Sequence, residues 1–178
     1  SAPFDDWWHS AYGLDVRIVR FHNIFGERGT WQGGREKVPA ALCRKVAQAR
    51  LTGNPEVEIW GDGEQTRSFC YVDDCVDGLQ RLMASGYREP LNLGQDRMVT
   101  VNQLAEIIAG IACVDVVKRH VPGPQGVRGR NSDNSRLRHV LGWQPQVSLE
   151  QGLAKTYAWI EAQVRAAQID GEAMAAAR

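Results

Sequence analysis

Neither sign of charge predominates in this chain. Its 178 residues carry 21 lysines and arginines against 21 aspartates and glutamates. A dedicated nucleic-acid binder carries a basic excess to meet phosphate charge, so the balance argues against that class. No apolar run approaches the roughly 18 residues of a membrane-spanning helix, so no membrane partner is expected. The opening stretch, with Asp5, Asp6, Trp7 and Trp8, lacks the basic start and apolar middle of a secretory leader. Cysteine is sparse: Cys43, Cys70, Cys75 and Cys113 form no C-x-x-C pair. His9, His22, His120 and His139 never fall four residues apart. Zinc-ligand spacing is therefore missing, and no metal is expected. The cysteines lie in apolar segments and read as reduced core residues of a cytoplasmic protein.

What is present suffices for a core. Hydrophobic residues make up 43% and charged residues 24%, the balance of one globular domain or a large piece of a bigger one. Residues 1–12 show no clean period and form an atypical N-terminal segment. From Val16 to Phe21 the sequence alternates and is β-branched, which predicts a strand. Gly26 to Gly34 is too glycine-rich for a regular element and predicts a loop. Pro39 suits a first helical turn, and Val38, Leu42 and Val46 recur every four residues until Thr52-Gly53-Asn54-Pro55 ends the helix. Val57 to Trp60 is a short strand closed by Gly61-Asp62-Gly63.

Phe69 to Val72 is a strand running into Asp73 or Asp74, either of which could cap a helix to about Ala84. Leu91 to Gly94 is a brief strand. Thr100 with Gln103 forms a capping box, and so does Ser148 with Gln151, whose helix should bury Leu149, Leu153, Tyr157, Ile160 and Val164. Val114 to Val121 is a strand, and Ser132 or Asp133 caps a short helix that stops at Gly142. The alanine-rich tail, residues 168–178, is expected to fray, which leaves a domain over 13–167. Short strands alternating with helices define an α/β, or α+β-like, domain.

The chemistry lies in the loops. Substrates that carry phosphates need cationic forks and backbone donors set on loops. Three segments qualify: Gly26 to Lys37 with Arg28, Arg35 and Lys37; Gly63 to Arg67; and Pro122 to Asn131 with Arg128 and Arg130 between glycines. The spacing Gly123-x-x-Gly126-x-x-Gly129 occurs in dinucleotide fingerprints, which require glycines running straight into a helix. Pro124 interrupts the turn and the next helix begins only near Ser135, so the segment reads as a substrate loop.

Three strings carry a specific resemblance. They are Arg20-Phe21-His22-Asn23-Ile24-Phe25-Gly26 continuing into Gly29-Thr30-Trp31-Gln32-Gly33-Gly34-Arg35-Glu36-Lys37, Trp60-Gly61-Asp62-Gly63 with Gln65-Thr66-Arg67-Ser68-Phe69, and Gly126-Val127-Arg128-Gly129-Arg130-Asn131-Ser132-Asp133-Asn134. The chain resembles the NAD-dependent sugar-nucleotide epimerase/dehydratase family, the extended short-chain dehydrogenases, and within it the branch that acts on GDP-mannose. The match runs in order from about Tyr12 to about Val164.

The resemblance implies the substrate-binding domain of that fold. It implies Lys37 as catalytic acid/base, Asn23, Glu36, Lys45 and Gln65 as sugar and phosphate contacts, and Arg67 and Arg130 as a pyrophosphate clamp. A guanidinium fork suits that last task better than an ammonium. The family oxidises its sugar with bound NAD, using a glycine-rich βαβ unit, a Tyr-x-x-x-Lys pair and a further acid/base. Tyr12 is followed by Val16 rather than lysine, and no cysteine aligns with the branch's catalytic one. The resemblance therefore implies the C-terminal half without the N-terminal Rossmann half, no cofactor held by this chain alone, and no turnover by itself.

The expected partner is a GDP-sugar, with NAD brought by a separate chain or by the absent half. The alternative is a non-enzymatic folded remnant, or a self-association or interaction protein, without nucleotide binding. The surface left by the absent half is expected to be covered either by the Trp7-Trp8 segment folding back or by a homodimer through an exposed strand edge. Nucleic-acid binding through the arginine loops ranks last, because no aromatic platform interleaves with them.

Overall fold

The computed structural model describes residues 11–123 and 126–176. The Trp7-Trp8 segment lies outside the described residues. In chain order the elements are β1 (Val19–Phe21), β2 (Ile24–Phe25), α1 (Val38–Thr52), β3 (Glu56–Trp60), β4 (Thr66–Ser68), β5 (Cys70–Tyr71), α2 (Val72–Ala84), β6 (Leu91–Leu93), β7 (Met98–Thr100), α3 (Val101–Ala112), β8 (Val117–Val121), β9 (Gly129–Arg130), α4 (Ser135–Leu141) and α5 (Leu149–Ala176). They form two compact units, and the chain passes from one to the other after Ile24, Arg67, Arg97, Arg130 and Gln146. No single linker separates the units, which is why none is visible in the sequence.

The first unit holds β1, α2, β6 and α4. Strand β1 runs parallel to β6, with Val19 opposite Leu91 and Phe21 opposite Leu93. It is shorter than the alternation from Val16 predicts. Cys70, Cys75, Leu82, Leu91, Leu93 and Leu137 form the buried cluster, with Val19, Ile24, Tyr87, Leu141 and Trp143 packed against it. Neither Asp73 nor Asp74 caps α2, because the helix starts one residue earlier. Tyr71 is its N-cap, without a side-chain bond, and both aspartates fall in the first turn, where the helix dipole favours them. Asp74 is buried, and its Oδ1 accepts the Gln146 N–H at 2.9 Å. At α4 the Asp133 carboxylate accepts the Ser135 N–H at 3.0 Å, and Gly142 ends the helix with φ 57°.

The second unit is three helices beside short parallel ladders. Strand β3 pairs with β8 from Glu56↔Val117 to Trp60↔Val121. Strand β4 lies between β7 and β9. Helices α1, α3 and α5 pack on one another through Val46, Leu104, Ile108, Leu153 and Ile160, all fully buried. Both expected capping boxes form. Thr100 accepts the Gln103 N–H at 3.0 Å and Ser148 accepts the Gln151 N–H at 3.2 Å, and in each case the glutamine side chain bonds back to the cap N–H. Helix α1 stops at Gly53, which adopts φ 75° and donates its N–H to the Ala49 carbonyl at 3.0 Å. Along α5 the side chains of Leu149, Leu153, Tyr157, Ile160 and Val164 are all buried.

Three cysteines are core residues. Burial pushes the Cys43 and Cys70 thiols up to about 12 and raises that of Cys75. Cys113 departs from the expectation: it is exposed, because it caps α3 in the left-handed conformation, φ 51°, beyond the last buried turn.

Gly63 illustrates how closely the turn after β3 is fitted. Its φ is 72°, and a Cβ there would fall onto the carboxamide of Asn102, the backbone N–H of which bonds the Gly63 carbonyl at 3.0 Å. Gly63→Ala should therefore lose about 1–3 kcal/mol from combined left-handed strain and overpacking. A urea midpoint equal to that of the parent chain would contradict this.

Candidate functional site

The Gly26–Lys37 loop delivers its polar groups to the start of α1. Lys37 is the N-cap, with extended backbone (φ −75°, ψ 157°), an exposed side chain and a carbonyl that accepts the Ala41 N–H at 2.9 Å. Beside it, Glu36 is tied at both carboxylate oxygens. Oε1 accepts from Arg44 at 2.8 Å and Oε2 accepts the Gly34 N–H at 2.7 Å. Its own backbone N–H, the Arg44 guanidinium and the Gly34 N–H together outweigh burial and hold the carboxyl below the ordinary glutamate range. Lys45, one turn into the buried part of α1, donates Nζ to the Glu58 carbonyl at 2.7 Å. Partial burial lowers its pKa, and the nearby Arg44 adds to this, against the pull of the Glu58 and Glu36 carboxylates.

The turn after β3 and strand β4 supply the facing wall. Gln65 donates Nε2 to the Trp60 carbonyl at 3.2 Å, and its buried Oε1 has no partner. Arg67 lies on β4, donating to the carbonyl of Thr66 at 2.7 Å and to that of Val127. Its register neighbour on β9 is Arg130, which is exposed. The Asp62 carboxylate fastens this region by accepting from Arg128 at 2.8 Å and from the Glu64 N–H at 2.9 Å.

Between these walls lies a cavity of about 300 Å³. Glu36, Arg44, Lys45, Gln65 and Arg67 line it together with Leu42, Ile59 and Trp60. Four of the residues singled out in the sequence thus share one cavity, and they come from two separate segments. Lys37 sits in the chain between two lining residues, Glu36 and Val38, and Arg130 is reached through the β4–β9 ladder. Asn23 belongs to the other unit. It adopts φ 46°, donates its carboxamide to the Ser68 carbonyl at 2.8 Å, and offers its own carbonyl to the Cys70 N–H at 3.2 Å.

Two lining residues escaped the sequence reading. Trp60 stands in a family string but was given no role there; the residue is 53% exposed, and the Gly123 backbone lies against it so closely that a Cβ there would come within 2.9 Å of Cγ. Arg44 was hidden in the polar stripe of α1. No sequence periodicity links it to Glu36, which lies in the loop ahead of the helix.

The glycines at 123, 126 and 129 do not form a dinucleotide turn. Gly129 begins β9, whose ladder with β4 pairs Gly129 with Thr66, and the following helix α4 starts only at Ser135. The residues present there do not fit a nicotinamide dinucleotide. Among the described residues, no group of three or more His, Cys, Asp and Glu could hold a metal ion, and no helix is long and apolar enough to cross a membrane.

The fold and this loop set define a known class: the profile of the NAD dependent epimerase/dehydratase family matches residues 6–94, and the chain belongs to that family. Within it, the chain is 49% identical over 160 residues to GDP-mannose 3,5-epimerase 1 of Oryza sativa subsp. indica, covering 90% of this chain and 41% of that protein. To GDP-mannose 3,5-epimerase of Arabidopsis thaliana it is 48% identical over 164 residues, covering 92% and 42%. Among solved structures, UDP-glucose 4-epimerase of Thermotoga maritima with UDP-glucose matches with a TM-score of 0.81 at 32% identity, covering 91% of this chain and 51% of that one. UDP-N-acetylglucosamine 4-epimerase of Methanobrevibacter ruminantium M1, in complex with UDP-N-acetylmuramic acid, matches with a TM-score of 0.77 at 29% identity, covering 90% and 51%. The chain thus spans about two fifths of the length of these curated relatives.

The state of Glu36 carries a pH signature. A carboxyl whose pKa lies lower in the folded chain than its ordinary 4.5 contributes stability in full above that value, and the contribution is lost as pH falls through the folded value. Glu36→Gln should therefore flatten the acid limb of the curve of melting temperature against pH. Parallel acid limbs for variant and parent would refute this assignment.

Proposed function

We propose that this chain is the substrate-holding part of a GDP-sugar epimerase, and that it binds a GDP-mannose-like nucleotide sugar without turning it over by itself. The observation that carries this reading is the single cavity that gathers Glu36, Lys45, Gln65 and Arg67. A diphosphate needs cations with fixed geometry, and Arg67 on β4 with Arg130 on β9 offers two guanidinium groups on adjacent, register-paired strands. Lys45 adds a third cation, already partly desolvated. Trp60 offers an exposed aromatic face beside them, suited to a planar or sugar ring. The 48–49% identity to GDP-mannose 3,5-epimerases supports GDP-mannose over other nucleotide sugars.

In this reading Lys37 is the acid/base. As an ammonium it donates a proton to a sugar carbon next to a carbonyl, and as an amine it removes one. The oxidation that would create such a carbonyl is assigned to no residue of this chain, and the NAD for it would come with a domain or chain outside these 178 residues. A partner surface fits the same scheme. Strand β1 pairs with β6 alone among the described residues, and its Phe21 is 48% exposed. A parallel strand in such a position is normally covered.

The test is thermal unfolding of the chain with GDP-mannose, GDP, UDP-glucose and NAD, repeated with Arg67→Ala and Arg130→Ala. A ligand at a hundred times its Kd adds about 2.7 kcal/mol, which raises the melting temperature of a domain this size by several degrees. GDP compounds should produce that shift, NAD should not, and each arginine variant should lose most of it. Equal shifts in parent and variants, or none with any nucleotide, would overturn the proposal.

A further inference from the structure

The loop from Gly26 to Lys37 has little support of its own. No helix or strand forms between β2 and α1, and Gly33 and Gly34 are consecutive residues in left-handed conformations, φ 91° and 81°. One side chain from outside meets the loop twice. Arg44, in the second turn of α1, donates Nε to the Trp31 carbonyl at 3.1 Å and Nη2 to Glu36 Oε1 at 2.8 Å. Its remaining nitrogen, Nη1, reaches Gln48 Oε1 at 3.3 Å, which braces the guanidinium from the following turn. Glu36 passes the restraint onward through its second oxygen to the Gly34 N–H at 2.7 Å. The ion pair is sheltered, with side chains 21% exposed for Arg44 and 8% for Glu36. A planar fork can meet a carbonyl and a carboxylate at once, whereas a lysine ammonium at the end of a flexible stem does not hold that geometry.

We infer that Arg44 is a positioning residue: it fixes the Gly26–Lys37 loop through Trp31 and Glu36, and so presents Lys37 at the cavity, while Glu36 serves the loop rather than the ligand. Both carboxylate oxygens of Glu36 already accept from protein donors. A carboxylate facing a diphosphate would also add like-charge repulsion. The functional half of this inference rests on the cavity being the GDP-sugar site.

Two readouts test it on the whole 178-residue chain: amide hydrogen exchange of Gly34 by NMR, and titration with GDP-mannose by calorimetry. The parent is compared with Arg44→Gln, Arg44→Lys, Glu36→Gln and the double variant Glu36→Gln/Arg44→Gln. Arg44→Lys keeps the test open if the glutamine variant does not fold. Each single variant should speed Gly34 exchange by about tenfold, the equivalent of one lost charge-assisted bond, with α3 amides unaffected. The Gly34 amide proton should also move upfield as its carboxylate acceptor is lost or loosened. GDP-mannose affinity should fall to a similar degree in each single variant, and the double variant should be no worse, because one restraint is removed in all of them.

Gly34 exchange in Arg44→Gln or Arg44→Lys that matches the parent would overturn the inference. So would Glu36→Gln losing affinity while Gly34 exchange stays at the parent rate, since Glu36 would then contact the ligand directly. If the parent binds no GDP-sugar, the ligand reading fails, and the exchange rates alone decide whether Arg44 holds the loop.

Discussion

Helix α1 is asked to serve two environments at once, and the rest of the second unit depends on that constraint. One side contributes Leu42, Cys43, Val46, Ala47 and Ala49 to the core, where α1 packs on α3 and α5. The other side contributes Arg44 and Lys45 to the cavity. Taking cations partly out of water is costly unless each finds a partner. The two solve the problem differently. Arg44 acquires a carboxylate, a carbonyl and a carboxamide. Among the described residues Lys45 hydrogen-bonds the Glu58 carbonyl, and burial lowers its pKa against the pull of the Glu58 and Glu36 carboxylates. The first is a saturated structural group, and the second is a cation with donors to spare for an anionic ligand.

The facing wall depends on ladders rather than on a helix. Parallel pairing of β3 with β8 sets Trp60 opposite Val121, so the chain leaves both strands at the same end. Two stretches lead onward: the Gly61-Asp62-Gly63 turn into β4, and Gly126-Val127-Arg128 into β9. They meet again when Thr66 and Arg67 pair with Gly129 and Arg130. Asp62 bridges them through Arg128, and Asn102, which donates to the Asp62 carbonyl at 3.0 Å, ties the turn to α3. The positions of Gln65, Arg67 and Arg130 are therefore set by backbone pairing.

How much of this could be seen in the sequence depended on whether the signal was local. The caps at Thr100 and Ser148, the stops at Gly53 and Gly142 and the apolar face of α5 are short-range patterns, and they appear where they were expected. Asp73 and Asp74 looked like caps because an aspartate before an apolar run is the usual signal. Tertiary structure gave Asp74 a different partner, the Gln146 N–H, 72 residues away in sequence. Cys113 looked like a core residue by composition but lies just past the last buried turn. Within the site, the sequence reading picked Glu36, Lys45, Gln65 and Arg67 through family resemblance, and they do line one cavity. Trp60 stands in a family string without a role attached, and Arg44 carried no signal of its own, since a tryptophan at a strand end and an arginine in a helical stripe are ordinary features until the fold places them.

The contrast between Glu36 and Arg67 shows why chemistry cannot be read from residue type alone in such a site. Both are charged, both line the cavity, and both stand in strings characteristic of the family. Among the described residues Arg67 bonds backbone carbonyls, of Thr66 and Val127, which are neutral acceptors that leave its positive charge uncompensated by any carboxylate in those contacts. Glu36 is neutralised in place by Arg44 and satisfied by the Gly34 N–H. An anion entering the cavity therefore meets an Arg67 whose field is intact and an Arg44 whose field is already cancelled. Lys45 is intermediate: its hydrogen bond goes to a carbonyl, but the Glu58 and Glu36 carboxylates lie near enough to act on its charge. Under the proposed function, a diphosphate in this cavity would be drawn by Lys45 and Arg67, while the Arg44–Glu36 pair would shape the wall against which it rests.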